Sequence, residues 1–331
     1  MLIPSSVRAF RNAAAAAAVV LAAALSAHAI VDSELIARAR LFPSITSGVT
    51  AIRRDSAGRY LVLTERGGVQ IFDSKGQPVG RAPSDSSAPI QFGAGLDVDA
   101  KGRIYVADRA RNVVAVYDSQ GKIEREIRIF GPTSVAALPS GEVAVASTRS
   151  PKLVTVFGAD GLVAREFGDP AQISGRADLN RLANLGRLCL DSSGRIYYSF
   201  TYLPEPTVRR YDRFGYSDFQ LVITTEDYLE SSMAARRTIV REEEKPKEPL
   251  DLHVILGPVA VDPANGDIWL GIRGRLLRYS SDAIPRGSYL IYTPDEDRIE
   301  ASALVIEPGR IVVGSEELGV FDLPRPSVTG P

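Results

Sequence analysis

Six cations sit at matching places along this chain: Arg66, Arg109, Arg111, Arg149, Lys152 and Arg273. Each lies between two short β-prone runs, so each belongs to a connecting loop. Guanidinium groups gathered on loops suit carboxylate or phosphate ligands, because a planar fork of N–H donors engages two oxygens at once. The chemistry they predict is an anion-binding rim, for a peptide carboxylate, an acidic glycan or an acidic protein. The alternative is ordinary solvated arginine in a chain whose bases are mostly Arg. Glu316 and Glu317 break the pattern, as does the longer loop from Thr201 to Pro206.

Catalytic groups are sparse. The chain has two histidines, His28 and His253, and one cysteine, Cys189. A Ser-His-Asp triad in the folded part would have to use His253, beside Asp251. No G-x-S-x-G nucleophile turn accompanies it, and His253 reads as a strand or loop residue near one end of the channel. Cys189 stands in Arg187-Leu188-Cys189-Leu190-Asp191, where a buried small hydrophobe fits better than a nucleophile. With one cysteine no internal disulfide can form.

The N-terminus carries a leader pattern. Arg8 and Arg11 precede an apolar run from Ala13 to Leu25, and Ala27 and Ala29 frame a small-residue cleavage site. This is the form of a secretory signal peptide over 1–29, cut after Ala29. The run is short for a membrane span, and no cysteine follows the cut to take a lipid. The expectation is an exported protein, periplasmic or extracellular, with no transmembrane segment after removal of the signal. The formal net charge of −1 over 331 residues gives no cationic excess to suggest nucleic acid.

These loops need a scaffold, and a repeat supplies it. Residues 95–121 read GLDVDAKGRIYVADRARNVVAVYDSQG. Short apolar runs are punctuated by Asp99-Ala100-Lys101-Gly102 and Asp118-Ser119-Gln120-Gly121. Asp opens such turns by accepting backbone N–H groups, and Gly closes them at positive φ. The phrase therefore reads strand, hairpin, strand, loop, strand, hairpin. It returns from 49, 134, 186, 257 and 302, marked by Gly58, Gly102, Gly141, Gly194, Gly266 and Gly309. The basic period of about 40 residues is that of a four-stranded propeller blade.

Gly95-Leu96-Asp97-Val98-Asp99, Gly102-Arg103-Ile104-Tyr105-Val106-Ala107-Asp108 and Asn112-Val113-Val114-Ala115-Val116-Tyr117 resemble the NHL repeat. The resemblance covers nearly all of 36–323. It weakens in copy three, where Leu138-Pro139 replaces the first turn Asp, and in copy six, clipped at both turns. It implies an all-β, six-bladed β-propeller and no single activity. The predicted blades are 49–83, 95–129, 134–168, 186–222, 257–293 and 302–323 plus 36–42, inside a domain spanning 30–326 with a tail at 327–331. Copy six has no room for an outer strand before Pro324 and Pro326, so residues 36–42 are expected to supply it. Trp269 and Tyr105, at equivalent places in their second strands, are expected to fill space between blades.

Two insertions interrupt the repeat, at 169–184 and 223–251. In the second, Thr224-x-x-Asp227 resembles a capping box, and Leu229, Met233 and Val240 fall at helical spacing. The prediction is a helix over 226–244, decorating the blade four to five junction or contacting a partner.

The resemblance also sets what an enzyme of this type would need. A zinc-dependent lyase requires several histidines, which one histidine in the mature chain does not provide. A calcium-dependent lactonase holds its ion on channel carboxylates and Asn side chains. Asn180, Asn184, Asp97 and Asp297 are the candidates, with Asn180, Asn184 and His253 the predicted channel groups, although none of the four belongs to a Glu-x-x-Asp or Glu-x-x-Asn spacing. The reading favours a binding or interaction scaffold without a cofactor. A calcium-dependent hydrolase or a lyase is the alternative.

Overall fold

The computed structural model describes residues 32–85, 89–224, 226–244 and 252–327. The leader over 1–29 and Asp251 lie outside the described residues. The six copies become six antiparallel sheets with strands spanning 49–82, 93–128, 132–167, 186–222, 259–292 and 303–324. Each sheet is a meander whose first strand is innermost, and in blades one to four its last strand is outermost.

The hairpin chemistry explains why the chain turns where it does. In blades one, two and four the first hairpin carries Asp-x-x-Gly-Arg, and Asp and Arg clasp across the turn. Arg59, Arg103 and Arg195 each place Nε 2.7 Å from a carboxylate oxygen of Asp55, Asp99 and Asp191. Gly102 takes φ +78°, a conformation that a side chain resists.

Six clusters of buried apolar side chains hold the ring. Each fills the wedge between two neighbouring blades: one/two, two/three, three/four, four/five, five/six and six/one. The last cluster joins Val312 and Val320 to Val49, Ile52 and Val62, so the ring is closed. Tyr105 fills the two/three wedge, and Trp269 the five/six wedge, stacked on Tyr289 at 5.7 Å. Near the axis the inner strands touch. A Cβ at Gly95 would come within 2.8 Å of the Ser134 backbone, so glycine there lets blades two and three approach.

Closure uses the N-terminal segment twice. β1 (Asp32–Ile36) adds a parallel fifth strand to blade five, with Asp32 opposite Ser288 and Ile36 opposite Tyr292. β2 (Ala39–Leu41) then pairs antiparallel with the last strand of blade six. The closing strand is thus 39–41 and not the expected 36–42. Ile36 is taken by blade five, and Phe42 turns inward at φ +49° to stack on Phe72. Asp32 anchors the first part through Arg275 (2.8 Å) and Ser288 (2.5 Å).

Two helices decorate the ring. α1 (Ala177–Ala183) lies in the first insertion. α2 (Glu226–Glu244) lies in the second, as its spacing predicted. Arg236 of α2 pairs with Glu205, and Glu243 accepts hydrogen bonds from Ser174 and Gly175 of the first insertion. No helix among the described residues is long and apolar enough to cross a membrane.

Candidate functional site

A channel runs along the axis and widens at both ends. The upper mouth lies on the face carrying the loops between second and third strands, together with the loops that enter the inner strands. It is a cavity of about 530 Å³ lined by Thr50, Glu65, Phe92, Arg109, Thr133, Leu185, Arg187, Tyr202, Val254, Glu316 and Glu317, among others. The lower mouth measures about 460 Å³. A throat of about 30 Å³ separates them, with Arg187 and Arg53 among its walls.

Arg187 stands out by register. In blades one, two, three, four and six, the residue five places after the first-hairpin glycine pairs with one position of the inner strand. That position is Ala51 in blade one, Gly95 in blade two, Ser134 in blade three and Ala303 in blade six. In blade four it is Arg187, opposite Ser199. A long cation occupies a place otherwise given to small residues, and its side chain spans the axis. Its Nη1 donates to the Ser302 carbonyl (2.6 Å) and, more weakly, to the Thr50 carbonyl (3.3 Å).

No carboxylate lies within ion-pair distance of this guanidinium among the described residues, and the residue is half-buried in the channel. Burial pulls its pKa below the ordinary arginine value, and Arg53 pushes the same way, while Glu316 and Tyr202 act in opposition. A desolvated cation with two carbonyl acceptors and further donors at the edge of a cavity is primed for an anion.

The six cations expected at a rim are spread over the face. Arg109 alone lines the upper mouth, exposed and with no side-chain partner among the described residues. Arg66 is exposed outside it. Arg111 turns outward to Glu126 on the outer strand of blade two. Arg149 and Lys152 line a side pocket of about 330 Å³ beside α1, where Lys152 pairs with Asp169. Arg273 donates to Ser231 of α2 across a small pocket shared with His253. Loop residues splay with their blades, so equal sequence positions do not converge on one point.

The three expected channel groups also lie off the axis. Asn180 and Asn184 are buried in and after α1. Asn180 accepts the N–H groups of Ile173 and Ser174, and Asn184 accepts that of Ala171. Their side chains tie the insertion to itself, and the Asn184 carbonyl accepts the Tyr198 hydroxyl of blade four. His253 is exposed beneath α2. Of the carboxylates weighed for calcium, Asp97 is taken by Arg53 (3.0 Å) and the Ala137 N–H (2.8 Å). Asp297 sits in an exposed turn closed by Thr293. Among the described residues no cluster of three or more His, Cys, Asp or Glu side chains is placed to hold a metal. Cys189 is buried at the lower mouth, and burial pushes its thiol up to about 12, so it is protonated at neutral pH.

The lower mouth is charged but closed on itself. Arg53 pairs with Asp97, while Arg54 and Arg310 both reach Glu307. Val98, Ala137, Leu190, Val261 and Val305 make the rest of its wall largely apolar.

No protein-family model matches this chain, and no curated protein matches it. Many solved structures share its fold. Virginiamycin B lyase from Staphylococcus aureus, in a catalytically inactive form with quinupristin, aligns with a TM-score of 0.53 and 11% identity. The alignment covers 86% of this chain and 87% of that one. A streptogramin B lyase gives 0.55 and 13%, over 86% and 96%. The extracellular domain of the one component system BT4673 from B. thetaiotaomicron gives 0.52 and 12%, over 86% of this chain and 33% of that one. Likeness at such identities establishes the propeller fold.

Proposed function

We propose that this protein is an exported propeller of the NHL kind that binds a ligand through an acidic group at the upper mouth, with Arg187 as the anchor. The observation that carries the reading is the Arg187 guanidinium. It is a long cation at a register position held by small residues in blades one, two, three and six, and it is desolvated with no carboxylate within ion-pair distance among the described residues. Arg109 stands above it as an entry cation. Export rests on the leader pattern, and the NHL assignment rests on the repeat residues together with the fold. That similar propellers include an extracellular domain and lyases fits a ligand-binding channel on this scaffold.

The test is calorimetric titration of the mature chain with N-acetyl amino acids, from N-acetylglycine to N-acetylphenylalanine, against the matching amides. The acids should bind, the amides at least ten-fold more weakly, and Arg187→Met should erase the preference. Equal binding of acids and amides, or an Arg187→Met protein that still prefers acids, would overturn it. Stoichiometric calcium that raises the Tm of the purified protein would instead favour a metal-dependent hydrolase in the channel.

A further inference from the structure

Glu65, Glu316 and Glu317 line the same cavity as Arg187 and Arg109. None of the three carboxylates has a hydrogen-bond or ion-pair partner for its side chain among the described residues. Their loops are tied together. The Gly48 N–H donates to the Glu316 carbonyl (2.6 Å), and the Glu65 N–H donates to the Gly48 carbonyl (2.9 Å). Blades one and six therefore present their acids side by side. They are not gathered as a metal-ligand set. The neighbouring wall differs in kind: Leu185, Tyr202 and Val254 from blade four and the entry to blade five, with Phe92 at the entry to blade two.

We propose that the upper mouth binds a short linear peptide with both termini free, its carboxylate on Arg187 and its ammonium among Glu65, Glu316 and Glu317. The proposal rests on the reading of Arg187 as an anion anchor and adds the second charge. Carboxylates lining one cavity without an ion-pair partner among the described residues suit an ammonium, which can donate up to three hydrogen bonds. An anion alone would take the Arg187 site and meet three like charges at the rim. A zwitterion satisfies both ends. A cavity of about 530 Å³ is larger than one amino acid fills and falls within the range that holds small ligands whole. The apolar wall of the same cavity suits side chains.

The experiment uses a synthetic pool of mixed tetrapeptides in three forms: free at both ends, acetylated at the N-terminus, or amidated at the C-terminus. The immobilised mature chain is equilibrated with each pool, and the retained peptide is quantified by mass spectrometry. The free pool should be retained at least ten-fold above either capped pool. Glu316→Gln/Glu317→Gln, checked for an unchanged Tm, should lower retention of the free pool and leave that of the acetylated pool alone. If acetylation costs nothing while amidation does, the ammonium half is overturned and the anion anchor stands. If neither cap matters, or nothing is retained, the peptide proposal is overturned, and the N-acetyl amino acid titration decides the anchor separately.

Discussion

The two mouths of one channel are built from the same six inner strands yet treat charge in opposite ways. At the lower mouth the bases find acids: Arg53 with Asp97, Arg54 and Arg310 with Glu307, and Arg59 with Asp55. At the upper mouth Arg187, Arg109, Glu65, Glu316 and Glu317 share a cavity without one ion pair among the described residues. Satisfied buried charge fixes a structure, while unsatisfied charge is kept at a cost and marks where a ligand completes the set. The lower mouth is architecture, and the upper mouth is where function belongs.

The sharpest way to break this contrast is to remove charge from each end. Glu307 is nearly buried, accepts from Tyr60 Oη (2.5 Å) and pairs with Arg310 Nε (2.7 Å). Burial, then the Glu307 hydrogen bond, push the Tyr60 phenol up to about 12, so the tyrosine stays a donor. Glu307→Ala leaves three groups without their acceptor and should cost about 3 kcal/mol, read as a lower denaturation midpoint at unchanged m-value. Arg187→Met, of similar length, removes a desolvated cation. Stability should stay within about 1 kcal/mol or rise, while affinity for N-acetyl amino acids falls by ten-fold or more. A loss above about 2 kcal/mol for Arg187→Met would make it a structural strut and erase the distinction.

That contrast was only partly legible in the sequence. The hairpin phrase revealed the six blades because Asp and Gly mark turns by local chemistry that needs no tertiary context. α2 was legible from Leu229, Met233 and Val240, yet these stay largely exposed at 56%, 49% and 55%, and the helix buries Tyr228, Ser232 and Ile239 instead. Spacing finds a helix, but packing chooses its face. Arg149 and Arg273 occupy equivalent loops and face different pockets, since a loop direction depends on what each blade packs against. Arg187 did carry a signal. Aligning the copies by their hairpin glycines sets it, seven residues before the glycine, against Ala51, Gly95, Ser134 and, in copy six, Ser302. A single large residue in a column of small ones matters because those small side chains surround the axis.

A smaller effect should separate the faces by pH. Burial alone would raise Asp99 and Asp191, but hydrogen bonds from Arg103 to Asp99, and from Ser193 and Arg195 to Asp191, hold both below the ordinary value of 3.8. Carboxyls depressed in the folded state contribute stability that is complete above the unfolded value and is lost as pH falls through the folded value. Stability should therefore be flat above about pH 5 and decline below about pH 4. Asp99→Asn/Asp191→Asn should lower neutral-pH stability by about 1 kcal/mol per clasp and make the acid limb shallower. An acid limb of unchanged slope would show that these lower-face turns do not carry it.

The smallest effect divides the two upper-mouth cations by their solvation. Arg109 is exposed at the rim, where salt screens a charge over about 8 Å at physiological ionic strength. Arg187 acts beside low-dielectric walls, where screening is weak. Arg109→Gln should reduce N-acetyl amino acid affinity only about three-fold at low salt, chiefly through a slower association rate, and by nothing measurable at 0.5 M salt, roughly where the screening length falls below 5 Å. The Arg187→Met loss should persist at both salt concentrations. If both losses fade together with salt, Arg187 is as wet as Arg109. The depth of the upper mouth would then confer no advantage on its charge, and the asymmetry between the two ends would reduce to a count of ion pairs.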